Sequence, residues 1–293
     1  MLPLKTTPLS DTFGVEVHDL DLKEVSEGHA FAQIRAAFEE HSALLFRGQD
    51  LDPETHVRLA RLFGPIEDRN SDTLTPNGTF KVPEVTNVME DGTITGEMDL
   101  HTLNLKSNML WHADSTFLPV PALINILTAK IATTTGGATE LASTRAAFAD
   151  MPPDKQEALR GMIIRHKYSH SRARISEELA KLPMFNKWPD TRWPAVWKNP
   201  VNGKEAVYVA SHSFAVEGMG EAEGQAYIDA LIADCTQPKY VYSHQWSVGD
   251  VLMWDQRAVL HRGTPWPYDQ PRKLASICVS ATDADGLATM RNP

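Results

Sequence analysis

Trp111-His112-Ala113-Asp114-Ser115-Thr116-Phe117 sets an imidazole and a carboxylate two residues apart, between aromatic residues and just before the apolar run Ala122 to Ile131. In an extended segment, residues i and i+2 point to the same side. His112 and Asp114 can therefore reach one metal ion from one segment, with the small Ala113 turned away. It is the only His-x-Asp or His-x-Glu in the chain. One imidazole and one carboxylate hold iron weakly. A second imidazole would complete the ligand set of non-haem iron oxygenases and leave the other positions open to substrate and oxygen. The candidate is His261, 149 positions later, at the end of Trp254-Asp255-Gln256-Arg257-Ala258-Val259-Leu260-His261.

Working outward, Phe13 to Leu22 alternates as a strand, and Ser26 is read as the cap of a helix whose apolar face is Ala30, Ile34, Ala37 and Phe38. Ala43 to Phe46 is a short buried strand. Asp52-Pro53-Glu54 opens a second helix, with a capping carboxylate and a proline in the first turn, and Gly64-Pro65 closes it. Residues 66–107 are rich in Asp, Asn, Thr, Gly and Pro, longer than a connector needs, and run directly into the His-x-Asp stretch. They are expected to form a lid that places His101, Lys106 and Asn108 near the substrate. After the strand Ala122 to Ile131, a Gly136-Gly137 turn leads to another strand from Ala138, followed by short helices at 146–151 and 154–162. Residues 171–200 form a second irregular insert, also assigned to the lid. Asn202-Gly203 centres a hairpin, Glu221 to Cys235 is a helix, and strands at 240–246, 250–254 and 274–279 close the chain. No repeat or linker divides residues 1–293, which are read as one domain. Many short strands and few helices predict a mainly β fold with flanking helices, a barrel or jelly roll enclosing a small-molecule cavity.

With 38 acidic and 28 basic residues the net charge is −10, which argues against nucleic acid as a partner. The nearest basic cluster spans Arg160 to Arg174, with Arg165, His166, Lys167, His170 and Arg172. It reads as a solvated segment that can still serve a small anionic substrate. Cys235 and Cys278 have no metal-ligand spacing and are read as reduced core thiols. The start of the sequence lacks the apolar core of a signal peptide, and no run approaches the roughly 18 apolar residues of a membrane span. The expectation is a cytoplasmic protein acting on a small molecule. Its oligomeric state is open, a homo-oligomer included.

Several ordered motifs make the chain resemble the iron- and 2-oxoglutarate-dependent dioxygenases typified by taurine dioxygenase and dichlorophenoxyacetate dioxygenase, with the closer likeness to the second. They are Leu44-Leu45-Phe46-Arg47-Gly48-Gln49, Arg61-Leu62-Phe63-Gly64-Pro65, Trp111 to Ser115, Gly136-Gly137-Ala138-Thr139, Asn199 to Lys204, Gly249 to Asp255 and His261-Arg262. The resemblance covers nearly the whole chain. It implies a double-stranded β-helix (a cupin-like jelly roll), with His112, Asp114 and His261 as Fe(II) ligands. It also implies that Arg272, eleven residues after His261, grips the far carboxylate of 2-oxoglutarate with Thr139 as its hydroxyl partner. A guanidinium fork suits a planar carboxylate, where a lysine would offer a point charge. Related halogenases lack the ligand carboxylate, so its presence here implies hydroxylation with O2, releasing succinate and CO2. An ether carbon so hydroxylated would collapse and cleave the ether.

Two positions depart from the family pattern. Many members carry a second arginine, for the substrate's carboxylate or sulfonate, fifteen residues after the distal histidine; here that position is Ser276. The substrate is then either not a simple anion or has its charge met by Lys106, His101, Arg172 or Lys273, with Lys106 first by its place before the metal stretch. Gln256 stands where the family usually has asparagine. The leading expectation is hydroxylation of a small organic acid resembling an aryloxyalkanoate. The alternatives are a sulfonate or uncharged substrate, a metal-dependent hydrolase or isomerase on the same barrel, and a non-catalytic binding protein; Arg272 and Thr139 separate the first from the last two.

Overall fold

A computed structural model describes residues 4–67 and 80–291. The first third runs β1 (Lys5–Pro8), β2 (Val15–His18), α1 (Phe31–His41), β3 (Ala43–Phe46), α2 (Pro53–Phe63), β4 (Glu84–Thr86) and α3 (Leu100–Ser107). Next come β5 (Ala122–Ile131), β6 (Thr139–Ser143), α4 (Thr144–Asp150), α5 (Pro153–Arg160), β7 (Ile163–His166), α6 (Tyr168–Ala173) and α7 (Glu177–Lys181). The remainder is β8 (Thr191–Pro194), β9 (Val196–Lys198), β10 (Glu205–Val207), β11 (Ser213–Val216) and α8 (Glu221–Cys235). The chain then closes with β12 (Val241–His244), β13 (Val251–Asp255), β14 (Val259–Gly263), β15 (Lys273–Ser280) and α9 (Leu287–Arg291).

The larger sheet has the order β1-β2-β3-β13-β5-β15-β4, and a smaller one the order β12-β6-β14. In the larger sheet only β2 and β3 pair in parallel, because α1 carries the chain back over the sheet between them. Side chains alternate across each strand. Leu45, Leu127, Leu252 and Trp254 point inward and meet Leu141 and Val259 of the smaller sheet. Leu44, Phe46, Ile126 and Met253 point outward and meet Ile34 and Phe38 of α1 and Leu59 and Phe63 of α2. Both faces are covered, which is why β3 is wholly apolar and β5 mostly so. Two facing, mostly antiparallel sheets with helices on the outer face of the larger make the expected mainly β jelly roll.

Asp52 caps α2 as its sequence predicts, accepting from the Thr55 amide at 2.7 Å. Ser26 caps nothing. Its backbone closes a tight turn with His29 (3.0 Å in both directions), and Ala30 adopts φ +61° before α1 begins. The two inserts are more regular than expected. Residues 80–107 contain β4, which pairs with β15, and the helix α3; residues 68–79 lie outside the described residues. Residues 171–200 hold the second half of α6, then α7, β8 and β9. Strand β8 bears directly on the site. Thr191 Oγ1 and Trp193 Nε1 donate to the Thr116 carbonyl, at 2.7 and 2.6 Å, and so fix the turn that follows Asp114.

Candidate metal centre and co-substrate pocket

The His-x-Asp stretch forms no regular strand. His112 and His261 exchange two backbone hydrogen bonds, His112 N to His261 O at 3.0 Å and His261 N to His112 O at 2.8 Å. Residues so paired across antiparallel backbone present their side chains on one face. The two imidazoles accordingly lie with ring centroids 4.0 Å apart. The chain then turns, Ser115 taking φ +61°, and Asp114 is aimed back between the rings. Its Oδ1 is 3.8 Å from His112 Nε2 and its Oδ2 3.6 Å from His261 Nε2. One donor atom from each of the three lies within 4.8 Å of the others, the only such cluster among the described residues.

The protonation states suit a cation. Burial lowers the pKa of both imidazoles, pushing His261 down to about 3, so each keeps a free lone pair at neutral pH. His112 Nδ1–H donates to the Leu110 carbonyl at 2.7 Å, which leaves Nε2 as the metal-facing atom. Around Asp114 a polar cradle converges on Oδ2: Gln256 Nε2 at 2.6 Å, Asn125 Nδ2 at 2.8 Å and Cys278 Sγ at 3.5 Å. Gln256 also accepts from the Asp114 amide at 2.8 Å. Two neutral imidazoles and a held carboxylate are a donor set that fits divalent iron.

These residues open into a cavity of about 620 Å³. Arg272 enters it from the start of β15, whose inward face continues through Leu274, Ser276 and Cys278. Only 5% of Arg272 is exposed, and its Nε and Nη2 donate to the Gly137 carbonyl at 3.1 and 3.0 Å. Gly137 has φ +67°, and a Cβ there would stand 3.1 Å from Arg272 Nε, so this approach requires glycine. The guanidinium lies 5.0 Å from the Trp266 ring centroid, and burial pushes its pKa down to about 10. Thr139 stands beside it on the cavity wall. Its hydroxyl accepts from Trp246 Nε1 at 3.0 Å, which leaves the hydroxyl proton available to a ligand.

Of the expected substrate residues, His101, Asn108 and Ser276 line the cavity. His101 Nε2 is bound to the Thr86 carbonyl at 2.6 Å. Ser276 Oγ donates to Asn125 Oδ1 at 3.0 Å and so buttresses the amide that holds Asp114. Lys106 is a correction: it does not line the cavity, and it pairs with Glu97 at 3.0 Å. Lys273, beside Arg272, pairs with Glu84 at 3.1 Å. Arg172, read in the sequence as part of a solvated cluster, is buried on the cavity wall with Tyr168 and Trp188. Cys278 is half-buried on the same wall and not in the core. The alternation from Arg272 to Cys278 was the signal that could have placed Ser276 and Cys278 on the same face.

A jelly roll bearing two imidazoles and a carboxylate at one mouth of its cavity has the form of a non-haem, metal-dependent oxygenase. The family model described as taurine catabolism dioxygenase TauD, TfdA family matches residues 5–278, and the chain belongs to that family of 2-oxoglutarate-dependent dioxygenases. The chain is 33% identical over 270 residues to the alpha-ketoglutarate-dependent 2,4-dichlorophenoxyacetate dioxygenase of Cupriavidus pinatubonensis, covering 91% of this chain and 94% of that protein. It is 30% identical over 273 residues to the (S)-phenoxypropionate/alpha-ketoglutarate-dioxygenase of Sphingobium herbicidovorans, covering 90% and 91%. The crystal structure of AAD-2 in complex with Mn(II) and N-oxalylglycine superimposes with a TM-score of 0.88 at 28% identity, covering 96% of this chain and 99% of that one. Among the described residues no helix is long and apolar enough to cross a membrane.

Proposed function

We propose that the protein is an Fe(II)- and 2-oxoglutarate-dependent hydroxylase of a small aryloxyalkanoate-like acid. One observation carries the co-substrate assignment. Arg272 is a buried guanidinium on the cavity wall whose described polar partner is the neutral Gly137 carbonyl. A buried charge is costly without a counter-charge, and the far carboxylate of 2-oxoglutarate supplies one in two-point contact, with the Thr139 hydroxyl beside it. In this reading His112, Asp114 and His261 hold the iron, and Gln256 and Asn125 fix the carboxylate ligand. When bound, the iron supplies the O2 chemistry that couples decarboxylation of 2-oxoglutarate to succinate and CO2 with oxygen insertion into a C–H bond. The protein positions that C–H bond and excludes water. If the hydroxylated carbon carries the ether oxygen, the hemiacetal product collapses and the ether is cleaved.

The substrate class is supported by the two relatives named for phenoxy acids and by the aromatic cavity wall of Tyr168, Trp188 and Trp266. Residues 80–85 and Met184, Lys187 and Trp188 also line the cavity, which supports both inserts as its lid on a single dioxygenase domain. Two cysteines that form no disulfide support a cytoplasmic location. The test is succinate formation from 2-oxoglutarate with Fe(II) and ascorbate, over aryloxyacetates, both enantiomers of aryloxypropionates, sulfonates and neutral analogues. An aryloxy acid should stimulate turnover, and His261→Ala should abolish it. Absence of stimulation by any aryloxy acid, with 2-oxoglutarate binding to the anaerobic iron protein intact, would overturn the substrate class but not the chemistry.

A further inference from the structure

We propose that the indole N–H of Trp266 is a further donor to the far carboxylate of 2-oxoglutarate, beside Arg272 and Thr139. It makes the cavity select a 2-oxo diacid over 2-oxo acids that end in a methyl group. This rests on the assignment of Arg272 above and deepens it.

Trp266 lies in the segment that leads from β14 to β15 and forms part of the cavity wall. It is 8% exposed, and its Nε1 is buried with no hydrogen-bond partner among the described residues. An indole N–H only donates, and a buried donor left without an acceptor is costly. The ring centroid stands 5.0 Å from the Arg272 guanidinium, so an acceptor gripped by that guanidinium is brought beside the indole as well. The carboxylate has room for it. Ionised, it offers about four lone-pair sites, and two-point contact with Arg272 and one bond from Thr139 leave about one of them for the indole. A second unpartnered indole on the wall, Trp254, stands 4.6 Å from the ring of His261, at the metal end.

The segment that carries Trp266 is tied down on both sides. Asn87, wholly buried, donates from Nδ2 to the Tyr268 and Gln270 carbonyls at 3.1 and 3.0 Å, and its Oδ1 accepts from the Arg272 amide at 2.8 Å. One side chain therefore holds the run from Tyr268 to Arg272. Before the tryptophan, the Gly137 amide donates to the Pro265 carbonyl at 3.0 Å, and the Ala138 amide to Thr264 Oγ1 at 2.9 Å. Gly136 has φ +67°, and a Cβ there would collide with the same Pro265 carbonyl, so glycine is needed for the segment to lie this close. The Tyr268 ring packs against Trp266 with centroids 5.0 Å apart. Trp266 and Arg272 are thus held in one frame, two donors pre-organised for one anion.

The experiment measures binding of 2-oxoglutarate and of 2-oxobutyrate by calorimetry on the full chain with Mn(II). 2-Oxobutyrate has the same metal-chelating end and no far carboxylate, and the wild type should prefer 2-oxoglutarate. Trp266→Phe keeps an aromatic ring against Arg272 and removes the N–H. It should weaken 2-oxoglutarate about tenfold or more, the usual worth of a hydrogen bond to a charged group, and leave 2-oxobutyrate within about twofold. Placing 3-benzothienylalanine at position 266 keeps the bicyclic ring and removes only the N–H. It should give the same selective loss, and it covers the case in which Trp266→Phe fails to fold. Unchanged 2-oxoglutarate affinity in the benzothienyl protein, or equal losses for the two acids, would overturn the assignment. If Arg272→Met still abolished the preference for 2-oxoglutarate, the Arg272 clamp would stand without Trp266. A wild type that binds the two acids alike would instead overturn the clamp, and the assignment with it.

Discussion

Asp114 shows how much of a metal site lies outside its ligands. Its side chain projects from a turn in which Ser115 has positive φ, so the backbone alone does not fix where the carboxylate points. Gln256 fixes it from two directions, accepting from the Asp114 amide and donating to Oδ2. Gln256→Leu keeps most of the volume but removes both contacts. Loss of such a support typically reduces metal affinity 10–100-fold. The variant should therefore bind Mn(II) or Fe(II) about tenfold or more weakly in a chelator competition, with an unchanged far-UV spectrum. Unaltered affinity would mean that Asn125 and Cys278 hold the carboxylate without help. The amide at this position was legible in the sequence as a departure from the family's asparagine; its hold on Asp114 became visible only when β13 and β14 met the 112–117 turn.

At the scale of elements, what the sequence disclosed depended on burial. β5 and α8 were legible to the residue because one is a long, mostly apolar stretch and the other a full-length helix with early acid. The short strands β7, β8 and β11 were missed, since four residues with mixed polarity carry too little period. Lys106 was misplaced for a geometric reason. In an irregular lid, His101, Lys106 and Asn108 could all face the substrate, but α3 is a helix. Seven residues bring the side chain back to nearly the same face, whereas five rotate it by about 140°. His101 and Asn108 therefore share the cavity side and Lys106 lies away from it. Helix α2 docks on the larger sheet through His56, whose buried Nε2–H donates to the Ile126 carbonyl at 2.9 Å. Burial pushes its pKa down from 6.5 to about 4. The unfolded chain therefore takes up a proton that the folded one refuses. The stabilisation is full above pH 6.5 and is lost progressively as the pH falls toward 4. His56→Gln should be less stable than wild type at pH 7 in urea. The gap should narrow by on the order of 1–2 kcal/mol at pH 5; a gap that does not change with pH would mean that His56 is charged in the fold.

Across the whole molecule, a buried ion network ties the helical layer to the strand turn that feeds the metal site. Asp255-Gln256-Arg257 spans the end of β13 and the start of the turn to β14, and its residues alternate in direction. Gln256 faces Asp114, while Asp255 and Arg257 face the opposite way. Arg257 Nε and Nη2 reach the Asp255 carboxylate at 2.8 and 2.9 Å, and Nη2 also reaches Glu39 of α1 at 2.6 Å. Glu39 further accepts from Arg35 at 2.7 Å and from Asn199 at 2.6 Å, and Arg35 continues to Asp285 near the chain's end at 2.6 Å. Burial alone would raise the pKa of Glu39, but the charges of Arg257 and Arg35 overcome it and hold the group below its usual value. Asp285 is likewise held low, by Thr282 and Arg35 against its own burial. Depressed carboxylates stabilise the fold above their unfolded pKa values and lose that contribution as the pH falls through the folded ones. Glu39→Gln leaves Arg257 with Asp255 but removes one buried counter-charge. It should destabilise by about 3 kcal/mol at pH 7, the low end for breaking a buried pair because one partner remains. The deficit relative to wild type should shrink as the pH falls below the ordinary glutamate value of 4.5 and through the lower folded value, where wild-type Glu39 also becomes protonated. Asp255 still anchors Arg257, so metal affinity should stay within a few-fold of wild type while urea resistance drops. A parallel loss of metal affinity would show instead that α1, through Glu39, sets the position of Gln256 and thus of the carboxylate ligand 142 residues before it in the chain.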